Sequence, residues 1–142
     1  MKRITISLII FAAAVAFAAC GSGTDGAAAS GKVIKSGPAG NNLTASISNS
    51  DGVLRKGRQE FTLTVADAKG APVDVGAVSL NFFMPAMGSM SAMNNPATFT
   101  TTGTPGVYAG KAEIEMTGEW QAQISYEGAA GKGKFSIPIS AQ

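Results

Sequence analysis

The chain has 142 residues, of which 45% are hydrophobic and only 14% charged, with no histidine and a single cysteine. These figures bound it to one modest domain and exclude both imidazole-based catalysis and an internal disulfide. The formal charge of +2 comes from Lys2 and Arg3: without them the 11 Lys and Arg become 9, against 9 Asp and Glu, which leaves no electrostatic footprint for nucleic acid.

Lys2 and Arg3 precede a largely apolar run of 16 residues, Ile4 to Ala19. That run is shorter than the ~20 residues a membrane-spanning helix requires. A basic start, an apolar middle and small residues before a cut site predict an export signal over 1–19. Its end, Phe17-Ala18-Ala19-Cys20-Gly21, resembles the lipobox of bacterial lipoproteins. The resemblance implies a lipidated, palmitate-bearing Cys20 as the first mature residue. It also implies a place in the cell envelope, anchored to a membrane and facing the periplasm or cell exterior. Residues 20–40 are rich in Gly, Ala and Ser and are expected to form a flexible linker with a root-mean-square reach of about 25 Å. The folded domain is expected over 41–142.

From there the pattern alternates with period two, which predicts strands and no helix of three turns. Leu43, Ala45 and Ile47 alternate with Thr44, Ser46 and Ser48, before the turn signal Asn49-Ser50-Asp51-Gly52. Phe61, Leu63 and Val65 form the next apolar face, and Lys69-Gly70 supplies a positive-φ position in the turn that follows. Val78, Leu80 and Phe82 mark a third strand, and Ala97 to Thr102 a short threonine-rich one. Tyr108, Ala112, Ile114 and Met116 share the inward register of a fifth. Trp120, Ala122, Ile124 and Tyr126 do so for a sixth, and Phe135, Ile137 and Ile139 for the last. Pro138 predicts an edge position or a strand end. About seven short strands without crossover helices predict an all-β, immunoglobulin-like antiparallel sandwich.

The inventory of reactive groups argues against an enzyme. No serine or threonine has a histidine base, no pair of carboxylates lies inside an apolar run, and no phosphate-binding glycine loop opens a helix. No catalytic residue is assigned. The distinctive chemistry is elsewhere: Met84, Met87, Met90 and Met93, four of the six methionines, recur at every third position. Thioethers are soft donors suited to Cu(I) or Ag(I) and poorly suited to Mg²⁺ or Ca²⁺. Residues three apart on a regular strand point to opposite faces, so the four cannot all be core residues of one strand. Two readings stand side by side: a copper(I) site on a loop between strands, or methionines filling gaps in the packing.

Met84-Pro85-Ala86-Met87-Gly88, Gly106-Val107-Tyr108 and Met116-Thr117-Gly118-Glu119-Trp120 together resemble the YtkA-like domain family. The stretches Leu54-Arg55-Lys56-Gly57 and Asp67-Ala68-Lys69-Gly70-Ala71-Pro72-Val73 fit its first half, so the resemblance spans roughly 41–140. A more distant similarity is to FixH-like proteins, associated with copper-oxidase assembly. The resemblance implies an exported immunoglobulin-like sandwich connected with metal-efflux or copper-oxidase assembly proteins. Members often carry histidine after the Met-Pro-x-Met-Gly run, where this chain has Ser89 and then adds Met90 and Met93. That difference turns the expectation from Cu(II) or Zn²⁺ toward an all-thioether Cu(I) site.

Two functions follow as expectations. One is a lipid-anchored envelope protein that captures Cu(I) through Met84, Met87, Met90 and Met93 and hands it on. The other is a protein-interaction module that docks an envelope partner through the same adaptable methionine surface. Reversible oxidation of exposed methionine is a third, lesser role.

Overall fold

The computed structural model describes residues 31–142. The predicted signal over 1–19, Cys20 and the first part of the predicted linker lie outside the described residues.

Among the described residues nine strands follow one another: β1 Lys32–Gly40, β2 Leu43–Asn49, β3 Gly57–Ala66, β4 Ala77–Met84, β5 Met93–Pro96, β6 Thr98–Thr101, β7 Val107–Ile114, β8 Gly118–Gly128 and β9 Gly131–Ala141. They form two antiparallel sheets, one ordered β1-β2-β3-β7-β6 and the other β5-β4-β8-β9. The two sheets face each other as an open, immunoglobulin-like β-sandwich, as the alternation predicts.

The alternating residues fill the space between the sheets. Ala45 and Ile47 of β2, Phe61, Leu63 and Val65 of β3, and Ile114 of β7 are buried, facing Leu80, Phe82, Trp120 and Ile124 of the other sheet. Aromatic rings hold the centre edge to face, with Phe61 5.7 Å from Phe82 and 5.9 Å from Phe99 between centroids. Each such pair adds about 0.5–1.5 kcal/mol beyond the burial of its area.

Three turns behave as their residues require. The Asn49 side chain accepts from the amide of Gly52 at 2.6 Å and donates to the Val53 carbonyl at 2.7 Å. Asp67 Oδ1 accepts from the amides of Lys69 and Ala71, and Gly70 takes the positive φ of 82°. Tyr108, at the start of β7, accepts from the Val75 amide and donates to Asp74 Oδ1, both at 3.2 Å, and so pins the β3–β4 connection. Pro138 lies on β9, the edge strand of its sheet, where a missing amide donor breaks no ladder.

Two expectations are corrected. The linker does not extend to residue 40, nor does the domain begin at 41: Lys32–Gly40 is an edge strand paired with β2 from Lys32↔Asn49 to Gly40↔Leu43. An edge strand is held by its backbone ladder, so few large apolar side chains are needed. Ala39 is buried, and a Cβ at Gly37 would meet Ile137 of β9 at 3.2 Å. Composition conceals such a strand. The count of seven strands also becomes nine, because β5, Met93-Asn94-Asn95-Pro96, has the residues of a turn but pairs with β4. After Ala97 the chain keeps its direction and crosses to the other sheet as β6.

Candidate functional site

The methionine stretch is a hairpin. β4 and β5 pair from Asn81↔Pro96 to Met84↔Met93, and the same register resumes at the tip with Met87↔Met90. The ladder is interrupted between these pairs, where Pro85 has no amide to donate. At the tip Met87 donates to the Met90 carbonyl at 3.1 Å and Met90 donates back at 2.9 Å. Gly88 takes a φ of +56° at the first central position, while Ser89 stays at negative φ. Glycine first in a two-residue connection is the signature of a type II′ hairpin turn. The turn matches strand twist and sets Met87 opposite Met90.

Pairing divides the four sulfurs in two. Met84 is 2% exposed and belongs to the core, and Met93 opposite it is half-buried against that core. Met87 is 56% and Met90 39% exposed. The three-residue spacing explains the division, since positions 84 and 87 fall on opposite faces of the pleat. Residues that exchange both backbone bonds have Cα atoms about 5.5 Å apart, so two flexible thioethers at 87 and 90 can reach one small ion from one side. The accessible donors are Met87 and Met90, with Met93 partly accessible behind them. Met84 supports the hairpin from inside.

Neighbouring elements hold the hairpin in place. The Met84 methyl lies 3.2 Å from the position a Cβ would occupy on Gly118, the first residue of β8. Trp120, 1% exposed as its register predicts, donates its indole N–H to the Met116 carbonyl at 3.0 Å and fixes the β7–β8 turn. Met116 itself is half-buried beyond the end of β7 and packs against the core. Asn95 of β5 is buried and donates to the Glu113 carbonyl of β7, tying the hairpin to the opposite sheet. Sequence reasoning passes over Asn95 because an Asn-Asn-Pro string carries the signal of a turn.

Asp51 is held below its ordinary carboxylate range chiefly by its hydrogen bond to Arg55, and Glu60 by its hydrogen bond to Lys111. Both are exposed surface pairs at 2.7 Å that contribute little to stability. Among the described residues no group of three or more His, Cys, Asp or Glu is placed to hold a metal. No helix of the described residues is long and apolar enough to cross a membrane.

A search of curated proteins finds no match. A family model for YtkA-like domains matches residues 39–125, from the end of β1 through most of β8 with the whole methionine hairpin inside it, and the chain therefore belongs to the YtkA-like family.

Proposed function

We propose that this YtkA-like protein is a lipid-anchored cell-envelope binding protein that captures Cu(I), or another soft monovalent ion, at its methionine hairpin and passes it on. The observation that carries the reading is the opposed, exposed pair Met87 and Met90 at the tip of the hairpin. Thioethers prefer soft ions and lose no proton on binding, so capture would vary little with pH. A site of two thioethers without thiolate holds its ion loosely enough for release to a stronger acceptor. The role is binding, not catalysis. Cys20 would carry the lipid, and the receiving partner is an envelope metal-efflux or copper-oxidase assembly protein, as the sequence resemblance implies.

Anaerobic titration of residues 31–142 with Cu(I) against a competing chelator tests the reading, beside the double variant Met87→Leu/Met90→Leu. Leucine keeps the bulk and removes the sulfur. One-to-one binding that the variant loses is the expected result. Equal binding by both proteins, or none tighter than about micromolar, about −8 kcal/mol, would refute it.

One observation favours docking as a second reading. Met87 and Met90 are two of the three large hydrophobic residues exposed among those described, the other being Val33. An apolar contact would survive the leucine substitutions that abolish metal binding, so the same variant separates the two.

A further inference from the structure

The two ends of the sandwich differ. One end carries the β1–β2 turn at Asn41-Asn42, the Asp67–Gly76 connection, the Thr102–Gly106 turn and the β8–β9 turn, all without an exposed large apolar side chain. At the other end lie the methionine hairpin, the β7–β8 turn, the C-terminal Gln142 and the point where the chain enters β1 at Lys32. Strand pairing establishes this placement. Lys32 pairs with Asn49 and Gly57 with Ile114, β8 begins three residues beyond Ile114, and Gly118 pairs with Ala141 and meets Met84. All three large hydrophobics exposed among the described residues, Val33, Met87 and Met90, therefore sit at the end where the chain enters.

We propose that this end faces the bilayer that holds the Cys20 lipid, with Met87 and Met90 directed at the membrane surface. The inference rests on the reading of Cys20 as the lipidated residue and deepens it by assigning the hairpin's surroundings. Its physical argument is chain length. Eleven residues lie between Cys20 and Lys32. Twelve Cα steps span at most ~40 Å. The strands β3, β8 and β9 have 10 or 11 residues, a body about 33 Å long. To put the opposite end on the membrane, the linker would have to run back along that whole length, close to full extension. To put the methionine end there costs it almost nothing. Exposed methionine and valine then meet the interfacial region instead of open water. An ion held at the tip would be exchanged at the bilayer surface, with a protein embedded in that membrane.

The full lipidated chain, reconstituted in phosphatidylcholine vesicles containing a headgroup nitroxide, tests the orientation. Cys20 is the only native cysteine and its sulfur is occupied by lipid, so Ser89→Cys at the tip and Lys69→Cys at the far end each offer one thiol for a fluorophore. Flotation with the vesicles comes first, because a chain that fails to float refutes the anchoring itself and the orientation with it. For a chain that floats, several-fold stronger quenching at 89 than at 69 is expected, reduced when Met87→Ser/Met90→Ser is added. Equal quenching at the two positions, or stronger quenching at 69, would overturn the orientation while leaving the anchor intact. Quenching at 89 unaffected by the serine substitutions would overturn the methionine–lipid contact. So would a signal at 89 that appears only at high protein density, since that would mark contact with a second copy.

Discussion

Met87 and Met90 donate to each other's carbonyls at 3.1 and 2.9 Å across Gly88-Ser89, so backbone geometry, not side-chain packing, holds the two exposed thioethers opposite one another. Gly88 is the point on which this depends, because at φ +56° a side chain is strained although the surrounding space is open. Gly88→Val is expected to open the tip at a local cost of about 1–3 kcal/mol. Under the proposed function, Cu(I) affinity read by chelator competition falls several-fold, while the thermal midpoint of the domain moves little because the core is untouched. Unchanged affinity would show that the turn does not preorganise the pair.

The two methionine pairs should separate cleanly by stability. Met84→Ala removes a core side chain that is 2% exposed and is expected to cost about 2–5 kcal/mol. Met87→Ala, at the open tip, should change stability by no more than about 0.5 kcal/mol. Urea denaturation of both variants checks the contrast; equal losses would mean that the tip is packed.

Gly110 of β7 lies between Phe61 and Phe99 in the paired strands, and a Cβ on it would come within 2.5 Å of the Phe61 ring and 2.8 Å of the Phe99 ring. Gly110→Ala must displace one ring of the edge-to-face pair, and overpacking of this kind costs about 1–3 kcal/mol. A fall in the urea midpoint with unchanged m-value is the expected signature.

Tyr126 joins β8 to the β1–β2 turn, donating to the Ala39 carbonyl at 3.2 Å and accepting from Asn41 Nδ2 at 3.1 Å. A fragment of residues 41–142 loses Ala39 and the whole of β1, exposes the β2 edge and uncovers Ile137. The loss of apolar cover for one large side chain alone is worth about 1.5–3 kcal/mol. Residues 31–142 should therefore unfold at a clearly higher temperature than 41–142, and the shorter fragment should aggregate more readily through its unpaired edge.

Burial raises the pKa of the Tyr108 hydroxyl above 10.0, with the neighbouring Asp74 carboxylate acting in the same direction. The unfolded chain then loses this proton at lower pH than the folded one. The stability that Tyr108 contributes is fully present below about pH 10 and is lost as pH rises through the folded value. Tyr108→Phe keeps the ring and removes the proton, so the variant should lack this part of the alkaline loss. Chemical denaturation between neutral pH and pH 11 measures it, and parallel curves for the two proteins would exclude it.

The inward faces of six strands, the burial of Trp120, the edge position of Pro138 and the turn at Gly70 were legible in the sequence, because each depends on a local rule: the two-residue pleat, a missing amide, a positive φ. The family was legible too, from the order of short motifs that surround those turns. What only the tertiary structure decided is pairing. Lys32–Gly40 has the composition of a linker and becomes a strand because β2 offers it a ladder; Asn94 and Asn95 have the composition of a turn and become β5 because β4 does. The methionines depend on both levels. Their spacing of three already forbids a single strand face, and the local Gly88-Ser89 turn sets β5 against β4, but which two enter the core follows from the pairing of β4 with β8, made by residues far apart in the chain. Register is a non-local choice, and it leaves Met84 inside and Met87 and Met90 in solvent.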